Sequence, residues 1–241
     1  MVAGLAFLAT AIATVFAQAT GVRFTRRRKP HERAWTIALA FFALASAALA
    51  TGASTGWDRG TFRAFYLLGA VLCVPWLGLG TIYLLAGLKA GKRAETGLIL
   101  FSGFAVGVML SAPIHGAIAR DGGIQVGRDH FGVMPRVLAA SASGLGATVV
   151  LVGAIWSAVR FARSRAEGTS RLAAGNALIA VGTLVLSSGG LVQGLVGKDQ
   201  AFALTLTAGI AVIYAGFAVA SSVARPARVR RERRGTLPAK L

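Results

Sequence analysis

Polar and charged positions in this chain fall in gaps between long apolar runs. They follow neither the three-to-four-residue spacing of an amphipathic helix nor the alternation of a strand. Seven such runs stand at Met1–Val22, Ala34–Ser54, Ala64–Leu88, Thr96–Ala119, Val137–Trp156, Leu172–Val196 and Ala201–Ala224. As a helix, each is long enough to cross about 30 Å of hydrocarbon. None carries Asp, Glu, Lys or Arg at its centre. A helix satisfies its own backbone groups in lipid, so the pattern predicts an all-α polytopic membrane protein with seven transmembrane helices. It divides the chain into a bundle over 1–224 and a basic, flexible tail over 225–241, which has two prolines and no apolar run.

Composition agrees, with 55% hydrophobic and only 14% charged residues and a mean hydropathy of +0.67. A water-soluble globule has no way to bury so much apolar surface. The formal charge of +18 raises the question of nucleic acid. Its placement answers it, because the basic residues sit at the ends of the runs and are sorted by side. One set of alternate connections holds 20 Lys and Arg and the other holds 6. Positive charge collects on the cytoplasmic side, so the N-terminus is expected outside and the C-terminus in the cytoplasm, with no nucleic-acid partner. The first run is expected to stay as a helix despite its Ala17-Gln18-Ala19 sequence, because no basic residue precedes it and a basic cluster follows. The lone Cys73 excludes an intrachain disulfide. Arg outnumbers Lys 21 to 5 and Ala is abundant, a hint of a GC-rich bacterial genome and hence of the bacterial plasma membrane.

Trp35, Trp57, Trp156, Tyr66 and Tyr83 lie near run ends, where aromatic anchors sit, whereas Trp76 and Tyr214 fall inside. The third and fifth runs align from Arg63 onto Arg136, which suggests a repeated hairpin, although shared Gly/Ala/Leu composition is the favoured explanation of the likeness. Gly103 with Gly107, and Gly190 with Gly194, have the spacing that lets helix backbones approach closely.

Several chemistries lack their residues. The last run has no lysine for a retinal Schiff base, and only His115 lies within a run, which argues against haem. No intramembrane carboxylate is present for proton coupling. No glycine loop ending in Gly-Lys-Ser/Thr is present for a nucleotide. His115, Asp121, Asp129 and His130 lack the ligand spacing of a zinc site, and nothing places Ser187 or Ser188 beside His115 for hydrolysis. No cofactor, metal or catalytic residue is expected.

Uncharged polar groups remain, and they lean toward the outer half. Ser111 and His115 stand four apart, on one helix face. Pro75 and Pro113 free the carbonyls of Val71 and Met109. Trp76, Ser111, His115, Ser187, Gln193 and Thr205 are therefore the candidate ligand-binding residues of a cavity beneath the loop Arg120–Arg136. At the cytoplasmic side, Arg26, Arg27, Arg28, Arg228, Arg230 and Arg231 are candidates for contact with anionic lipid. The expected function is a non-enzymatic interaction or sensory module that engages membrane lipids or a partner membrane protein. The alternative is a small permease or lipid-handling protein using the outward cavity.

Overall fold

Seven helices long and apolar enough to cross a membrane account for almost the whole of the computed structural model. It describes residues 1–116, 118, 123–164, 169–196 and 199–222, with the side chains of 190–196 left outside. The helices are α1 (Val2–Arg27), α2 (Pro30–Thr55), α3 (Arg59–Leu85), α4 (Gly87–Ser111), α5 (Val133–Ala162), α6 (Thr169–Val196) and α7 (Asp199–Ser222). No β-strand occurs among the described residues. The tail 225–241 lies outside them.

Six helices close a ring: α1 packs on α2, α2 on α3, α3 on α5, α5 on α6, α6 on α7, and α7 back on α1. The interior is apolar, with Phe16, Leu39, Phe42, Cys73, Ile210 and Ile213 meeting there. Helix α4 lies outside the ring against α3 and touches α5 lightly; of its residues only Gly91, Ala105 and Met109 are buried.

Lipid supplies no hydrophobic drive between helices, so close backbone approach holds them. On α6 and α7 the approach follows glycines seven residues apart. Gly175 opposes Gly216 and Gly182 opposes Gly209, while one turn-pair further along Gly189 meets Thr205. The surroundings of Gly190 and Gly194 fall outside the description. Gly103 and Gly107 behave differently from the expectation: a Cβ at either meets nothing within 4 Å, because their face of α4 points away from the ring.

Helix α3 changes register midway. Tyr66–Cys73 is π-helical, with bonds spanning five residues, and Pro75 follows at once. Proline carries no N–H, so in that register the Ala70 carbonyl loses its partner. The hydroxyl of Ser143 on α5 donates to it at 2.5 Å. The freed carbonyl that the sequence suggested at Val71 is thus displaced by one residue and is used in packing.

The fourth apolar run is corrected at its far end. It was expected to continue as helix to Ala119, but α4 stops at Ser111. Pro113 clashes with an α conformation at the preceding residue, and Ala112 accordingly turns extended, with φ −62° and ψ 128°. His115 therefore lies in a loop and not on a helix face with Ser111. Arg63 of α3 caps the end, donating to the carbonyls of Leu110 (2.9 Å) and Ala112 (2.6 Å).

At the same end of the bundle, Asp58 caps α3. Its Oδ1 accepts from the backbone N–H of Gly60 (2.7 Å) and Thr61 (2.9 Å), and Oδ2 accepts from the Thr61 hydroxyl (2.6 Å). The Thr61 hydroxyl, followed by the Thr61 backbone N–H, lowers the carboxyl pKa below its ordinary value. A lowered folded-state pKa means stability that is present above the unfolded carboxylate range, near 4, and lost as pH falls through the folded value. Asp58→Ala should cost about 1 kcal/mol at neutral pH. In acid titrations of thermal unfolding, variant and wild type should converge as the carboxylate protonates. A deficit that stays constant with pH would deny the cap its role.

Candidate anion-binding site at the basic end

Two tight reversals bring four helix ends together where the basic residues gather. Between α1 and α2 the chain turns at Arg28, whose φ of 50° and ψ of 31° are left-handed, and its N–H donates to the Phe24 carbonyl at 2.7 Å. Helix ends commonly close this way, but with glycine or asparagine at that position. Lys29 is extended, and Pro30 opens α2 at the position where its missing N–H costs nothing. Between α3 and α4 the reversal is equally short, with Gly87 at φ 83°.

A cavity of about 280 Å3 lies between these ends, lined by Phe24, Arg28, Pro30, Arg33, Tyr83, Leu88, Lys92 and Glu95. Glu95 is its electrostatic hinge. One carboxylate oxygen pairs with the Arg33 guanidinium of α2, and the other accepts from the Tyr83 hydroxyl of α3. The Tyr83 ring lies so close to Gly91 that no side chain fits there. Helices α2, α3 and α4 are thereby tied at one point.

The carboxylate is spoken for, but two cations are not. Arg28 lies over the Phe24 ring with 5.8 Å to its centroid, and neither Arg28 nor Lys92 has a carboxylate partner among the described residues. Three cations against one carboxylate leave the lining with a surplus of two positive charges. Arg26 and Arg27 flank it, exposed, in the last turn of α1. Arg228, Arg230 and Arg231 lie outside the described residues. Glu32, buried in the first turn of α2, is not part of the lining; its Oε2 has no partner among the described residues.

Among the described candidate ligand residues of the opposite half, no hydrogen bond joins one to another. Trp76 is buried between α3 and α4; its indole N–H donates to Ser102 at 3.2 Å and its ring meets Phe41 edge-on. Ser111 is exposed and bonded to its own helix, donating to the Gly107 carbonyl at 2.9 Å. Ser187 is exposed. Thr205 donates to the carbonyls of Ala201 and Phe202, each at 2.9 Å. The Gln193 side chain lies outside the description.

His115 contributes its backbone: its N–H donates to the His130 carbonyl (2.9 Å), and its own carbonyl faces His130 Nδ1 (3.1 Å). His130 Nε2 faces Gln125 Oε1 at 2.8 Å. In the described part of this loop Ile124 and Phe131 join Leu49, Trp57, Phe62 and Met109 in a buried apolar cluster, with Phe62 and Phe131 stacked at 5.1 Å.

Compared with known proteins, the chain matches no family model and no curated sequence. Among the described residues no group of three His, Cys, Asp or Glu is placed to hold a metal ion.

Arg33, Tyr83, Lys92 and Glu95 escaped sequence reasoning as site residues. Of the basic end, the sequence marked Arg26, Arg27 and Arg28 and the tail arginines for lipid contact, and Tyr83 only as an interfacial anchor. One signal was present: Gly91 and Glu95 stand four apart, which places a small residue and an acid on one face of α4 at its basic end.

Proposed function

We propose that the protein is a non-enzymatic membrane module that engages anionic phospholipid at its basic end. The cationic cavity where four helix ends meet carries this reading. The 20-to-6 sorting of Lys and Arg supports an orientation with that end cytoplasmic and the N-terminus outside. The Arg-rich, Ala-rich composition supports a bacterial plasma membrane. The cytoplasmic leaflet holds the anionic lipids, each basic residue near it contributing about 1 kcal/mol of attraction. Arg26, Arg27 and Arg28 stand at that level, and Arg28 turns into the cavity wall. The open Gly103–Gly107 face of α4 is a surface on which a partner membrane helix would pack closely. A permease is less well supported, because no hydrogen bond joins the described outer candidate residues and the described part of the loop belongs to a buried apolar cluster.

Lipid analysis of the protein purified in mild detergent tests the reading. Phosphatidylglycerol should be retained above its share of the host membrane and released as salt is raised, since screening weakens exposed charge attraction. Retained lipid at bulk composition would sink the proposal.

A further inference from the structure

We infer that the cavity between the α1–α2 and α3–α4 reversals is a binding site for one phosphate group, held by Arg28 and Lys92. Arginine presents a planar fork that matches two phosphate oxygens, and lysine adds a compact point charge. Both are without a carboxylate partner among the described residues, so neither must abandon an ion pair to receive the ligand. Glu95 would repel an anion if left bare. The Arg33 guanidinium and the Tyr83 hydroxyl occupy its two oxygens. Four of the five N–H donors on Arg33 remain, because one N–H serves Glu95.

Charge and shape agree with this ligand. A lining surplus of two positive charges balances a phosphate monoester, which carries about −1.5 to −2 at neutral pH. About 280 Å3 admits the group together with the atoms of its ester. Phe24, Pro30 and Leu88 supply the apolar part of the wall, suited to the carbon backbone of a lipid headgroup. Arg28 occupies a left-handed position that glycine would hold with less strain, so an arginine there favours charge at the cavity over ease of the turn.

The inference deepens the lipid-binding reading and rests on it for the source of the phosphate. Native mass spectrometry of the full chain, with phosphatidic acid as the probe, should show one lipid bound. Arg28→Gly with Lys92→Gln should weaken binding at least about tenfold more than Arg26→Gln with Lys89→Gln, because direct charge-assisted bonds add to general attraction. Both pairs remove two charges from the same end, but only the first touches the lining. Glycine suits the left-handed turn and Lys92 is exposed, so the variant should keep the wild-type melting temperature.

Inorganic phosphate that displaces the lipid supports recognition of the phosphate itself. Pair-specific loss without such competition supports the lipid headgroup as the source. Equal weakening by the two pairs overturns the site and leaves the lipid preference standing. No retention of phosphatidic acid by the wild type overturns the site, and the lipid reading falls with it only if phosphatidylglycerol is not enriched either.

Discussion

Gly182→Ala is expected to destabilise the bundle by about 1–3 kcal/mol, the usual cost of forcing volume into a packed contact. A Cβ at Gly182 would lie 2.8 Å from the Ile213 nitrogen and 2.9 Å from the Gly209 carbonyl oxygen. Both are backbone atoms, and no rotamer change can move them aside. The helices would have to separate, and the effect would spread along the seam to Gly175 and Gly216, where a Cβ meets the opposing carbonyl at 2.6–2.7 Å. Unfolding in mixed micelles with increasing denaturing detergent measures the loss. Gly103→Ala is the control: its Cβ meets nothing within 4 Å, and alanine is the better helix former by about 1 kcal/mol. If both substitutions behaved alike, the α6–α7 seam would not be the close contact described.

Ser143→Ala carries the second large effect. It takes the hydroxyl donor from the part-buried Ala70 carbonyl, which faces a proline nitrogen without hydrogen in the π register, at an expected cost of about 1–3 kcal/mol. The same substitution should cost far less in a Pro75→Ala background, because an N–H restored at position 75 can serve the carbonyl itself. The coupling should amount to about 0.5–3 kcal/mol in a double-mutant cycle, as for groups that share one hydrogen-bond network. Additive losses would show that Ser143 and Pro75 act independently. The proline and the serine sit on different helices, 68 positions apart in sequence numbering. Nothing short of the α3–α5 contact reveals that they address one carbonyl.

Most of the architecture was legible before the fold. Apolar runs of membrane length became helices because a backbone in lipid has few other ways to bond itself. Their ends were less legible. The run through Ala119 looked continuous because Pro113 is apolar enough for hydropathy, yet its ring sets the conformation of Ala112 and ends α4 at Ser111. The glycines misled in a more instructive way. A four-residue spacing at Gly103 and Gly107 invited close packing, but the chain packs through Gly175 and Gly182 against Gly216 and Gly209. Spacing shows which residues share a face; it does not show which way the face turns.

The candidate site divides along the same line. Arg28 was legible as one of a cluster of charges beside a helix end. Its partners in the cavity were not, because Arg33, Tyr83, Lys92 and Glu95 come from three helices. By itself the sequence determined seven membrane-length helices and one strongly basic end, since length, hydropathy and charge act residue by residue. Only the tertiary structure decided the order of the ring, the exclusion of α4 from it, the glycine seam and the cationic cavity. Those depend on which side chains meet across helices, and a one-dimensional pattern carries no term for that.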